Sequence, residues 1–461
     1  SEQSALAAGL SSLVSGLAFL LLLAALLRRP DVAGTTSRGA VLVTVFLVLA
    51  ASTPAVASHF VSGMDTAFAL ACLTGYILIY LRAERKAGRL GTVSMGIVGG
   101  LAFAARPDLL VYTLSVPTGM VVLGPDREAR RRGVQILVLA AATVGAQILG
   151  TWTFLHSPLP LSFYAKGVRG YGEAFASHYR LVPFVQLAHY LGATWPFLAI
   201  IGLDLWVNRD RKRTRVWVAE RALLAATCVF ILYYTFFVLQ IMHRPQRFYY
   251  PSLPALVFLA AQGIGRLAGM IRPRLSAAVE RLPRWTGTAF TILLGGLLIR
   301  PALTAAVDLR REVALGRFLY FDVAANVADR YDDYWYELVA FSELPDDLVI
   351  ATTEIGRPAA LNPRKTIVDL TGLNDRTFAH DGFSAARVLT VDQPDLIYMP
   401  HPHYQEMATQ LIEHPEFAAR YDHFTASDLR AEMGIAIRRD SDYYRRMRAV
   451  VHEGALRRRW D

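Results

Sequence analysis

Charge is scarce in this sequence. Asp, Glu, Lys and Arg make up only 19% of its 461 residues, against 54% apolar. The mean hydropathy is +0.32. A soluble domain of this size carries more charge. Cysteine is nearly missing too. Cys72 and Cys228 both sit inside apolar runs, so they read as small core residues, and no disulfide framework follows. No metal-ligand spacing, Gly-rich phosphate loop or Ser/His/Asp order stands out, and no cofactor is expected from the residues, which leave metal dependence open. Repeats and low-complexity segments are likewise absent. The net charge is +10, yet the basic residues do not gather on one soluble face as nucleic-acid binding requires. They crowd instead into short loops between apolar runs, the positive-inside pattern of a membrane protein.

The apolar residues stop forming long runs near residue 306, which divides the chain into a membrane region (1–306) and a globular region (307–461). Spans of ~20 residues cross ~30 Å of hydrocarbon. Such runs fall at about 4–27, 40–58, 62–82, 134–156, 188–207, 217–240, 249–271 and 286–306. The first lacks a basic leader and a small-residue cleavage site, so it is read as a span and not a signal peptide. Basic loops lie at 28–38, 82–89, 127–132, 209–215 and 266–284. All five share one side only if 93–124 enters and leaves on that side as a hairpin. Arg106-Pro107-Asp108 interrupts the middle of that stretch, and a charged, proline-broken turn at membrane depth is tolerated only against protein or a watery cavity. This topology places Ser1, the loop 157–187 and the C-terminal region outside. The C-terminal region reads as a small α/β domain. Strands are expected at 347–352, 366–369 and 395–399, a helix at 403–414 and an edge strand at 433–438.

Four polar constellations gather on the expected outer side. Asp65, in His59-Phe60-Val61-Ser62-Gly63-Met64-Asp65, can bind an acceptor hydroxyl, assist a general base, or cap the helix that follows. Arg106 and Asp108 can serve a ligand or simply pair with each other. Lys166 and Arg169 can hold a phosphate while Tyr164 and Tyr171 stack on a sugar; the other reading is an aromatic belt with snorkelling cations. Arg244 and Arg247, in His243-Arg244-Pro245-Gln246-Arg247-Phe248-Tyr249-Tyr250-Pro251, sit on the wrong side for the positive-inside bias. An anionic partner accounts for them, as phosphate or as lipid headgroup.

In their order along the chain, these motifs resemble the GT-C superfamily of polyprenyl-phosphate-sugar-dependent membrane glycosyltransferases. The chain is most similar to the mycobacterial-type terminal arabinofuranosyltransferases. The resemblance rests on Ser62-Gly63-Met64-Asp65, Arg106-Pro107-Asp108, Ser162-Phe163-Tyr164-Ala165-Lys166 and Arg247-Phe248-Tyr249-Tyr250-Pro251-Ser252-Leu253-Pro254. It extends to Glu354-Ile355-Gly356 and Asp369-Leu370-Thr371-Gly372-Leu373-Asn374-Asp375. It implies a GT-C-like α-helical polytopic membrane bundle followed by a small α/β extracytoplasmic domain, in the bacterial cytoplasmic membrane. Family members carry the catalytic aspartate on an outer loop after a first span, and the resemblance implies that both are missing from these 461 residues. Asp65 is then an active-site neighbour and not the base.

The implied reaction moves a sugar, hexosyl or pentosyl, from a polyprenyl-phosphate donor to a glycan or lipid acceptor by direct displacement. Arg106, Lys166, Arg244 and Arg247 are the expected donor-phosphate ligands. His59, Tyr164, Tyr171, Glu354, Asp369 and Asn374 are the expected substrate contacts, although turn and cap chemistry also accounts for the last three. The competing reading is a transporter or flippase for a lipid-linked sugar. That reading calls for internal repeats and polar residues at the bilayer midplane.

Overall fold

A computed structural model of the protein describes residues 2–29, 66–85, 88–159, 161–165, 181–209, 214–238, 247–279, 334–353, 355–431 and 433–458. The expected spans at 40–58 and 286–306 lie outside these residues, as does the boundary at 306. Among the described residues, five helices are long and apolar enough to cross a membrane. The N-terminal part is a bundle built from α1 (Glu2–Leu27), α2 (Thr66–Arg85), α3 (Arg89–Ala105), α4 (Leu110–Leu123), α5 (Arg127–Leu155), α6 (Leu161–Ala165), α7 (Val182–Val207), α8 (Arg215–Phe236) and α9 (Leu253–Val279).

Local chemistry sets the helix ends. Asp126 caps α5 by accepting a hydrogen bond from Ala129 N at 2.7 Å, with Glu128 in the first turn. The helix therefore opens seven residues before the apolar run at 134–156 does, because a cap and the helix dipole, not hydropathy, decide where a helix starts. Thr214 caps α8 in the same way, through Trp217 N at 3.1 Å. Between α3 and α4 the chain turns back. Arg106 precedes a proline, which excludes the helical conformation, and it adopts φ −160° and ψ 126°. Pro107 then opens a short 3-10 turn, Pro107–Leu109, that feeds into α4. The 17 residues of α3 rise about 26 Å at ~1.5 Å each. α3 and α4 thus form a helical hairpin with Arg106-Pro107-Asp108 at its tip.

Close helix packing holds the hairpin. A Cβ on Gly96 would lie 2.4 Å from Leu139 Cβ, and one on Gly100 would lie 2.6 Å from Thr143 Cβ, so α3 and α5 touch along a glycine face. Pro117 inside α4 cannot donate to the carbonyl of Thr113. Tyr76 of α2 supplies that bond instead, its phenol donating to Thr113 O at 2.6 Å. Large apolar side chains, among them Trp152, Phe154, Trp195, Trp206 and Phe236, remain exposed on the outer faces of the bundle. A surface of this kind suits lipid, not water.

One end of the bundle is basic and tied by ion pairs. Arg29 donates to Leu81 O at 3.1 Å, and Arg132 donates to Ala83 O at 3.2 Å. Arg215 bridges Asp126 and Glu128, each at 3.2 Å. Arg266 joins Asp204 of α7 to Glu220 of α8, at 2.5 Å and 2.7 Å. Arg106-Pro107-Asp108 and the segment that starts at Arg247 lie at the other end, beside the tips of α3, α8 and α9.

The C-terminal part is a three-layer α/β unit. Its mixed five-stranded sheet has the order β2-β1-β3-β5-β4, formed by β1 (Val349–Thr352), β2 (Thr366–Asp369), β3 (Leu396–Tyr398), β4 (Tyr421–Phe424) and β5 (Ile435–Arg438). β1 runs parallel to β2 and β3, and β5 runs antiparallel to β3 and β4. The expected edge strand at 433–438 is therefore corrected. It is the interior strand β5, and the edge is β4, whose polar Tyr-Asp-His-Phe sequence hid it. One sheet face packs on α10 (Trp335–Ser342) and the C-terminal helix (Tyr444–Arg457). The other packs on 376–389 and 405–417.

Candidate functional site

At the tip of the α3–α4 hairpin, Arg106 is buried and faces Asp108 in a two-pronged pair: Nε donates to Oδ1 at 3.0 Å and Nη2 to Oδ2 at 2.7 Å. Both residues flank Pro107, so the turn that breaks the helix also aims the two side chains at each other. Tyr234, in the last turn of α8, completes the group. Its phenol donates to Asp108 Oδ2 at 2.5 Å and accepts from Arg106 Nη2 at 3.2 Å. The pairing that the sequence leaves as one option is thus formed, with a third member. Nothing in the spacing marks Tyr234, because it lies 126 residues from Asp108 and inside an apolar run.

From Tyr234 the contacts continue to the second arginine. The Phe248 ring lies 5.3 Å from that of Tyr234, and the Arg247 guanidinium sits over Phe248 at 4.6 Å. Arg247 is buried, at 8% exposure, where a guanidinium free of partners would be costly. The following residues lock this segment in place. Tyr249 donates to Pro183 O of α7 at 3.0 Å, and its ring stacks on Tyr190 at 5.6 Å. Tyr190 and Ser252 share a short hydroxyl–hydroxyl bond. The Arg247-Phe-Tyr-Tyr-Pro-Ser motif is therefore a buried tie between α7, α8 and α9 that carries one arginine to the level of Arg106.

The short helix α6 lies beyond the end of α5. Tyr164 packs its ring 4.1 Å from the imidazole of His380, in the last turn of α12 (Arg376–Asp381). Here α11 denotes Gly356–Leu361 of the same domain. Ala165 is buried with Ala379, Tyr404 and Met407, and Leu373 and Phe383 close the cluster. The C-terminal domain thus meets the bundle at its motif-bearing end.

The loop leading to α12 is built by Asp369. Its Oδ1 accepts from Thr371 N at 3.0 Å and from Thr371 Oγ1 at 2.6 Å, and its Oδ2 accepts from Asn374 N at 2.7 Å. Burial pushes the Asp369 carboxyl above the usual carboxylate range, and these bonds pull it back. Gly372 takes φ +73°, where an added Cβ would lie 2.6 Å from Ala379 N. Asp375 then caps α12 through Thr377 N and Phe378 N at 2.8 Å and 3.0 Å. The geometry at Asp369 and Asp375 is turn and cap chemistry, while Asn374 keeps its side chain exposed.

The structure brings Arg106, Asp108, Tyr234 and Arg247 into one connected group and sets Tyr164 against the C-terminal domain. His59, Asp65, Lys166, Tyr171, Arg244 and Glu354 lie outside the described residues. Among the described residues, no cluster of His, Cys, Asp and Glu is arranged to hold a metal ion.

No family model and no curated protein matches the chain. Solved structures similar to it include the following two. ArnT from Cupriavidus metallidurans bound to undecaprenyl phosphate shows 16% sequence identity and a TM-score of 0.45, covering 93% of this chain and 83% of that one. ArnT from the same organism in the apo state shows 15% identity and a TM-score of 0.48, covering 93% of this chain and 82% of that one.

Proposed function

We propose that this chain is a GT-C-type glycosyltransferase of the bacterial cytoplasmic membrane, with its C-terminal domain outside. It transfers a hexosyl or pentosyl group from a polyprenyl-phosphate donor to a glycan or lipid acceptor. The observation that supports this most is the pair of buried arginines, Arg106 and Arg247, linked through Tyr234 and Phe248 at the end of the bundle where the C-terminal domain docks. Buried cations at the edge of a bilayer suit a lipid-borne phosphate, because charge-assisted bonds strengthen where water is excluded.

In the reaction, an acceptor hydroxyl attacks the anomeric carbon and a carboxylate takes its proton. The bond from that carbon to the phosphate oxygen breaks, and the polyprenyl phosphate leaves with its charge held by Arg106, Arg247, Lys166 and Arg244. Asp65 is assigned as a neighbour of the reacting centre, and His59, Tyr164, Tyr171, Glu354 and Asn374 as substrate contacts, while the buried Asp369 holds the loop that presents Asn374. In this reading guanidinium groups supply positive charge to the leaving phosphate, and no cofactor is invoked.

The test uses the protein expressed from its full open reading frame. A photoreactive polyprenyl phosphate should label the wild type. Arg247→Ala should weaken labelling roughly tenfold or more, in line with ~1.5–3 kcal/mol for a charged hydrogen bond. Radiolabelled polyprenyl-phosphate sugars should yield transferred sugar in the same membranes. Lipid movement across vesicles without any sugar transfer would replace this reading with that of a flippase.

A further inference from the structure

Helix α6 has five residues, Leu161–Ala165, and so few cannot hold a helical turn in place by themselves. Its support comes from the C-terminal domain. Ala165 is 1% exposed against Ala379, Tyr404 and Met407, and Tyr164 rests on His380 at 4.1 Å between ring centres. Phe163 meets the edge of Tyr164 at 6.0 Å, extending the aromatic row. His380 is itself exposed, at the surface end of its helix. Its ring contact is with the bundle. The helix that bears it is itself rooted, by the Asp375 cap and by the Asp369 loop with Gly372 at φ +73°. A rigid loop in one part of the molecule therefore ends in a ring that presses on a weak helix in the other. In the sequence, Ala165 is followed directly by Lys166, the first cation of the motif assigned to the donor.

We infer that His380 is a positioning residue: by stacking on Tyr164 it sets the place of α6 and so tunes affinity for the polyprenyl-phosphate donor from within the C-terminal domain. This rests on the proposed function for its lipid readout. The physical basis is ring contact, not imidazole protonation, so an aromatic replacement preserves it.

The experiment compares wild type, His380→Ala and His380→Phe in the full-length protein, with two readouts. The first is titration with a photoreactive polyprenyl phosphate. His380→Ala should bind about fivefold more weakly, and His380→Phe within about twofold of wild type, the scale of an aromatic pair. The second is hydrogen exchange of the backbone at 161–165, which His380→Ala should speed several-fold while the sheet strands stay unchanged. Equal exchange in all three proteins overturns the inference whatever the lipid does. Equal lipid affinity with altered exchange overturns the link to the donor. If His380→Phe is as weak as His380→Ala, the imidazole acts by other chemistry and ring positioning is wrong. A wild type that binds no polyprenyl phosphate removes the proposed function as well, and does so independently of the exchange result.

Discussion

At the residue scale, the Arg106–Asp108–Tyr234 group shows how much depends on one hydroxyl. Tyr234 answers both charges at once, so Tyr234→Phe leaves the ion pair intact but strips one bond from each partner. Thermal unfolding in detergent should show a loss of about 1.5–3 kcal/mol, the value of a hydrogen bond to a charged group. Asp108→Ala should cost more, about 3–5 kcal/mol, because it leaves a buried guanidinium without its carboxylate. An Asp108→Ala protein as stable as Tyr234→Phe would show that Arg106 reaches water. In the C-terminal domain, burial lowers the affinity of His423 for protons, with Asp428 opposing. The folded His423 therefore stays neutral below the pH at which the unfolded side chain binds a proton, about 6.5. The stability it contributes is present above that pH and is lost as pH falls through its folded value. Asp369 runs the other way: its carboxyl is raised, so its contribution is greatest below the unfolded carboxylate range and fades as pH rises through the folded value. Urea unfolding of the wild type and His423→Gln between pH 7 and 5 should show a shallower fall for the variant. Parallel curves would place the pH response elsewhere.

At the scale of elements, two junctions each rest on a few residues. Glu337 of α10 is fully buried and takes two bonds from Arg458, at 2.6 Å and 3.0 Å, just past the C-terminal helix. That pair clamps α10 to the end of the C-terminal helix. Glu337→Ala strands the Arg458 charge and should destabilise the domain by about 3–5 kcal/mol. A variant replacing both partners with apolar residues should recover much of that loss; if it does not, the clamp acts by packing, with Gly454 against Glu337, and not by charge. The second junction is the α3–α5 glycine face. Gly100→Val adds atoms where Thr143 already sits, and the hairpin must move away from α5. The hairpin was legible in the sequence through Arg106-Pro107-Asp108. The glycine face was not, because nothing along the chain says which helix Gly96 and Gly100 will meet.

At the scale of the molecule, the ion pairs of Arg132, Arg215 and Arg266 and the carbonyl contact of Arg29 collect at one end, and the docked C-terminal domain lies at the other. If the basic end faces the cytoplasm, a membrane-impermeant maleimide added to intact cells should label Ala449→Cys, exposed on the C-terminal helix, and spare Glu128→Cys. The reverse pattern would invert the topology and move the proposed site to the inner face. Strand β5 carries a related lesson. Its composition identified it as a strand, but its interior place depended on a partner, β4, whose side chains do not alternate.

The sequence by itself determined the division into an apolar bundle and an α/β domain, the turn at Arg106-Pro107-Asp108 and the basic end. Hydropathy, proline sterics and charge placement act over a few residues or over a span, so they can be read along the chain. Only the tertiary structure decided that Tyr234 joins Arg106 and Asp108, that Phe248 carries Arg247 to them, and that His380 meets Tyr164. Each of those contacts joins residues far apart in sequence through rings that look like ordinary core, and it takes the packing of several helices to bring them together.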